Sequence, residues 1–181
     1  MDQHNYTRGR QEFEKAIKIA STYATAYANL GISLYSLGKY DSAATELNTA
    51  LTFDKDLLTA HYTLGLIYNA QGKEHEKALS SLEFVAKNDP DDPHVRYYLG
   101  QVRSKLDQSE KAIADFRETI RLDPFNVSAY YGLANILRKS GNESDWRKTL
   151  QKFNELSQAG FQGVSSSYQG QGRYAEAVTD I

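Results

Sequence analysis

Apolar and small residues in the first third of the chain fall at helical intervals. Tyr27, Leu30, Gly31 and Leu34 stand at i, i+3, i+4 and i+7, one face of an α-helix. Leu37-Gly38 predicts its end, because glycine enters the left-handed C-terminal cap without a Cβ penalty. Ala43, Leu47 and Ala50 then mark one face of a second helix, for which Asp41 is the expected N-cap. The whole arrangement recurs. Leu30-Gly31 is followed by Leu64-Gly65, Leu99-Gly100 and Leu133-Ala134, at steps of 34, 35 and 34 residues. A Leu/Phe column runs Leu47, Leu82, Phe116, Leu150. An alanine column runs Ala43, Ala78, Ala112 and meets Trp146 in fourth place, where a bulky ring is expected to reorient the helices. The extra residue of the second unit lies between Gly72 and Ala78, in a turn, where insertions are tolerated.

Further signals fall at the same period. Pro90 and Pro124 each follow an aspartate, and Asp92-Pro93 reads as an N-cap with proline at the first helical position, where its missing N–H costs nothing. Asn126 is the equivalent cap one unit later. Leu-Gly, an apolar or aromatic residue three further on, Ala-x-x-x-Leu/Phe and a closing Asp-Pro, all at this spacing, resemble the tetratricopeptide repeat (TPR). The resemblance covers most of the chain, as units 24–57, 58–92, 93–126 and 127–157. It implies an all-α fold, a right-handed superhelical solenoid of antiparallel helix pairs, in which stacked neighbours bury faces that no unit buries alone. Gly9, Phe13 and Ala16 fit the second-helix pattern, so residues 1–23 read as a half-unit covering the front. Residues 158–181 read as a partial fifth unit: Gly172 to Ala177 repeats Gly38 to Ala43, but the Gly- and Ser-rich stretch before it has poor helix propensity. Its ending at Ile181, half a helix short, gives the expectation of a piece of a longer protein.

The first helices carry a second set of side chains off their packing face. It comprises Ala28, Ile32 and Tyr35 in the first unit, then Tyr62, Leu66 and Asn69 in the second. In the third it comprises Tyr97, Gln101 and Ser104, with Lys105 beside them. In the fourth it comprises Tyr131, Asn135 and Arg138, with Lys139 beside them. In TPR folds the first helices line the concave face, so the resemblance places these residues in a peptide-binding groove. Tyr62, Tyr97 and Tyr131 occupy one column as an aromatic ladder. Tyrosine combines large contact area with few rotors and a hydroxyl, and is enriched at interfaces. The competing reading, that these tyrosines are packing shared between neighbouring helices, stands equally. The groove grades from apolar at its first two units to polar and cationic at its last two. Residues 1–92 hold 9 Lys and Arg against 13 Asp and Glu, while residues 93–181 hold 12 against 10. The expected ligand therefore has an apolar part and an acidic part. One TPR subclass clamps chaperone C-terminal carboxylates with Lys, Asn and Arg, and needs a lysine where this chain has Ala28, Tyr62, Tyr97 and Tyr131. That reading is disfavoured.

Composition narrows the rest. The chain has 181 residues and no cysteine, which excludes disulfides, thiol catalysis and Cys-ligated zinc. A net charge of −2 and no run of 18 apolar residues argue against nucleic-acid and membrane partners. His4, His61, His75 and His94 form no ligand-spaced pair, and Asp89, Asp91, Asp92 and His94 read as a capped turn rather than a cation site. No phosphate loop or nucleophile elbow occurs. No catalytic residue, cofactor or metal is expected. The leading expectation is a non-enzymatic scaffold that binds a protein or peptide segment in its groove. Self-assembly through open solenoid ends near Tyr174, Ala177 and Ile181 is the second. A recruiting or regulatory arm of a larger enzyme is the third. A cytoplasmic location is slightly favoured, and a periplasmic one fits if a signal segment was removed.

Overall fold

A computed structural model of the chain describes residues 3–164 and 171–175. The described residues are α-helical apart from short turns, a coil at 161–164 and one 3-10 turn, Arg173–Ala175. The helices are α1 (Gln3–Ile19), α2 (Ala24–Ser36), α3 (Tyr40–Phe53), α4 (Leu58–Gln71), α5 (His75–Asn88), α6 (Pro93–Lys105), α7 (Ser109–Leu122), α8 (Val127–Lys139) and α9 (Glu143–Gln158). The chain divides into two compact units. Unit 1 comprises residues 1–74 and 167–181, and unit 2 comprises residues 75–166. The division at Glu74/His75 falls inside the span read as the second repeat, beside its extra residue.

Unit 1 is built on α2 packed against α3, with α1 against α2 and α4 against both. Ala43, Leu47 and Ala50 are completely buried, and a Cβ added at Gly31 would stand 2.6 Å from the Leu47 side chain. Unit 2 packs α6 on α7 and α8 on α9, with α5 against α6 and α7 against α8. At its centre lies the Phe116 ring. A Cβ added at Gly100 would stand 2.9 Å from that ring and one at Gly132 2.6 Å, so glycine on both α6 and α8 makes the room. Gly132 lies two residues before Ala134, the fourth member of the small-residue column. Over this core, Arg103 bridges three helices, meeting Asp115 of α7 at 2.6 Å and Glu83 of α5 at 2.7 Å. Burial pushes the Asp115 carboxyl above its ordinary range, against the opposing pull of Arg103.

The expected helix signals are mostly in place. Asp92 accepts from the main-chain N–H of His94 at 2.8 Å and of Val95 at 2.9 Å, and Asn126 accepts from that of Ala129 at 3.0 Å. Gly38 is left-handed (φ +73°), and the Lys39 N–H returns to the Leu34 carbonyl at 2.9 Å. The same return bond follows α6 and α8, from Gln108 to Arg103 and from Asn142 to Leu137. At the end of α4 the helix runs one residue further and the N–H of left-handed Gly72 reaches the Tyr68 carbonyl instead. Asp41 requires a correction. Tyr40 is already helical, so Lys39 holds the cap position and Asp41 sits inside the first turn. There its carboxylate accepts from the Gln71 side chain at 2.8 Å, tying α3 to α4.

The fourth pair differs from the others in its packing. Ala43, Ala78 and Ala112 are completely buried, whereas Trp146 in their column is half-buried. Leu150 is likewise half-buried where Leu47, Leu82 and Phe116 are not, and Leu156 is the buried residue of α9. Among residues 158–181, no α-helix occurs beyond Gln158 in the described part. Ala177 and Ile181, part of the expected open end, lie outside the described residues.

Candidate protein-interaction faces

Three of the first helices, α2, α4 and α6, carry at the fourth position a side chain that reaches back six residues to a turn carbonyl. Tyr27 donates to Ser21, His61 meets Lys55 at 2.8 Å, and Arg96 donates to Pro90 at 3.2 Å. These contacts give His61 a structural role.

In unit 1 the expected groove residues are covered. Ile32 is 1 % exposed, Tyr62 is completely buried, and Tyr35, Leu66 and Asn69 are buried as well. Part of the cover is Gln171–Ala175. The Tyr35 hydroxyl donates to the Gln171 side-chain oxygen at 2.9 Å, and the Tyr62 hydroxyl donates to the Gln171 main-chain carbonyl. The Tyr174 ring lies 5.8 Å from that of Tyr62, with the Arg173 guanidinium 5.2 Å from its centroid. Burial pushes the Tyr35 hydroxyl up to about 12.

In unit 2 the equivalent positions are partly open. Tyr97 is buried, and its hydroxyl accepts from Gln101 Nε2 at 2.6 Å. Its hydroxyl is held above the ordinary range, by burial first of all. Tyr131 is 56 % exposed, with its ring 5.6 Å from that of Phe153. Between Tyr97 and Tyr131 opens a cavity of about 420 Å³, lined also by Val127, Ser128, Phe153 and Phe161. Ser128 Oγ accepts from the Val164 main-chain N–H at 2.8 Å, and Phe161 stacks on Phe125 at 4.7 Å. Lys105, Arg138 and Lys139 are exposed, and Asn135 is half-buried. The three cations occupy the last turns of α6 and α8, where the helix dipole favours positive charge.

The structure thus gathers the twelve expected residues into two settings, five under a cover in unit 1 and seven around a partly open face in unit 2. Repeat counting missed Ser128, Phe153, Phe161 and Gln171, and assigned Tyr174 to an open end, whereas its ring lies against Tyr62. Phe153 sits at a helical position with a face to fill, so periodicity could have found it. The Gly- and Ser-rich residues between Gln158 and Gly172 carry no helical periodicity. Among the described residues no group of three His, Asp or Glu side chains gathers in metal-binding geometry, and no helix is long and apolar enough to cross a membrane.

Comparison with known proteins agrees with this architecture. A TPR repeat family model matches residues 32–72 and a tetratricopeptide repeat model matches residues 102–145. The human mitochondrial import receptor subunit TOM70 is 28% identical over 99% of this chain, which spans 30% of that protein. The small glutamine-rich tetratricopeptide repeat-containing protein 2 of Saccharomyces cerevisiae is 30% identical over 75% of the chain, which spans 40% of it. The chain therefore spans less than half the length of these relatives. Among solved structures, MamA from Desulfovibrio magneticus RS-1 superposes with a TM-score of 0.80 at 21% identity, covering 85% of this chain and 86% of that one. A second MamA crystal structure gives a TM-score of 0.80 at 20% identity, covering 87% and 91%. That likeness is one of fold: an all-α solenoid of antiparallel helix pairs. With helix pairs recurring at the TPR period and two matched spans inside them, the chain contains tetratricopeptide repeats.

Proposed function

We propose that the chain is a non-enzymatic scaffold that holds a segment of another protein against the faces of its first helices. The observation that carries this reading is the unit 2 cavity. Tyr131 stands 56 % exposed beside about 420 Å³ of open space, with Phe153 and Phe161 as apolar walls. Binding pockets are typically concave, largely apolar and edged by a few polar groups, and this cavity has those features. Lys105, Arg138 and Lys139 lie exposed on the helices that carry the cavity tyrosines, which favours a partner segment with an acidic part next to an apolar one. The names of the relatives are in keeping with a binding role: a receptor subunit, and a subunit of the anaphase-promoting complex in Schizosaccharomyces pombe.

The test places a photo-cross-linking phenylalanine analogue at Tyr131 and, separately, at the exposed Lys148 of α9. Partner proteins are expected to cross-link from position 131 and to lose that yield when Arg138 and Lys139 become Ala. Equal cross-linking from both positions would remove the groove reading.

A further inference from the structure

The unit 1 face is filled by a stretch of this same chain, and the manner of filling is that of a bound peptide. Gln171 and Ala175 are buried, at 7 % and 0 % exposure, while Arg173 between them is exposed. Two tyrosine hydroxyls engage one residue. Tyr35 takes its side-chain amide and Tyr62 its main-chain carbonyl. Three positions later an aromatic ring, Tyr174, rests against Tyr62. Peptide recognition commonly divides its work in this way. Main-chain contacts hold the segment, and pockets read selected side chains. The segment has little structure of its own to keep it in place. It is a single 3-10 turn of three residues entered through Gly172 at φ +103°, and such turns are short and weakly bonded. Its seat depends on what it meets on α2 and α4.

We propose that Gln171–Ala175 is a tethered ligand of the unit 1 face, and that a partner segment of the same chemistry, Gln-Gly-x-Tyr, binds there by displacing it. This rests on the groove reading above and adds the chemical class of the ligand and a gate on its access. A segment carried on the same chain competes at a high effective concentration, about millimolar for a short linker. An outside peptide of equal intrinsic affinity is therefore excluded at micromolar concentrations until the tether is weakened.

The test uses the full chain and a fluorescently labelled peptide with the sequence of residues 169–177, followed by anisotropy. Wild type is expected to bind the probe weakly. The Gln171→Ala/Tyr174→Ala double variant is expected to bind it at least about tenfold more tightly. Adding Tyr35→Phe and Tyr62→Phe, which keep both rings and remove both hydroxyls, is expected to abolish that gain. Circular dichroism confirms that each variant is folded. Amide hydrogen exchange gives a second measure: residues 171–175 are expected to be protected in wild type and to lose protection in Tyr35→Phe/Tyr62→Phe. Equal probe affinity for wild type and the double variant overturns the proposal, as does no binding to either. Protection of 171–175 found only in dimers, by light scattering, also overturns it, because the ligand would then act between copies. Any of these results with cross-linking from Tyr131 retained removes the tethered ligand alone. Their occurrence together with loss of that cross-linking removes the groove reading as well.

Discussion

Tyr62 and Tyr131 hold the same position in two helices of the same kind, yet one is completely buried and the other 56 % exposed. Neither helix propensity nor repeat register separates them. The difference lies in what covers each face. Gln171 and Tyr174 lie on Tyr62, whereas Tyr131 borders a cavity that Phe161 only partly walls. A column in a repeat array therefore specifies direction and residue type but not accessibility. For Tyr62, part of what covers it is chain far away in sequence.

The largest test of that contrast is a pair of truncations. Tyr62→Ala removes a completely buried ring and its hydroxyl bond, and should cost about 3–5 kcal/mol of unfolding free energy, the range for large buried aromatics. Tyr131→Ala removes a half-open ring and should cost about 1 kcal/mol or less. Urea unfolding of both variants measures the gap. Equal losses would show that the two positions are both packing residues and would end the contrast.

A smaller effect tests the covered face alone. The Tyr35 hydroxyl is raised from 10.0 to about 12 by burial in the folded chain. Below pH 10 both folded and unfolded states keep the proton, and the full stability is present. Between pH 10 and 12 the unfolded chain loses the proton while the folded chain holds it, so stability falls as pH rises. The loss attributable to Tyr35 should reach roughly 2–3 kcal/mol by pH 12, at about 1.36 kcal/mol per pKa unit. Comparing Tyr35→Phe with wild type across this window isolates the effect. In the Gln171→Ala/Tyr174→Ala variant the face is uncovered, and the Tyr35 ionisation seen by ultraviolet difference spectra should move down. An unmoved ionisation would mean that helices rather than the segment bury Tyr35.

The helix pairs are legible in the sequence because their causes are local and repeated. Four small residues, four apolar residues and the caps at Asp92 and Asn126 each recur at one spacing, and the pattern needs no knowledge of distant contacts. The faces are legible only as a list of directions. Tyr97 illustrates the limit. Its place in the ladder is correct, but the Tyr98 and Phe116 rings within 5.1 and 6.0 Å bury it, and those contacts belong to its own unit's core. The covering segment is illegible for a plainer reason. Gly- and Ser-rich chain has no periodicity, so nothing in residues 158–175 announces a face to dock on. The resemblance of Gly172–Ala177 to Gly38–Ala43 points to a repeat start, whereas the described part of it forms a 3-10 turn against α4. Local similarity there does not specify what the segment packs on.

The smallest expected effect compares the two units at their helix ends. Gly38 and Gly141 follow α2 and α8 in the left-handed region, at φ +73° and +74°, and Asp107 holds the corresponding place after α6 at φ +56°. An L-residue there brings its Cβ close to a carbonyl oxygen, at a cost near 1 kcal/mol that aspartate reduces by bonding locally. Asp107→Gly removes the strain but gives the unfolded chain more freedom, which offsets part of the gain. The net expectation is a stabilisation of up to about 0.5–1 kcal/mol, read as a small rise in the thermal midpoint. The Gly38→Asp change in unit 1 should lower stability by a comparable amount. A destabilised Asp107→Gly chain would instead mean that the aspartate side chain is engaged at the turn, and that this helix end is held by its carboxylate rather than merely tolerating it.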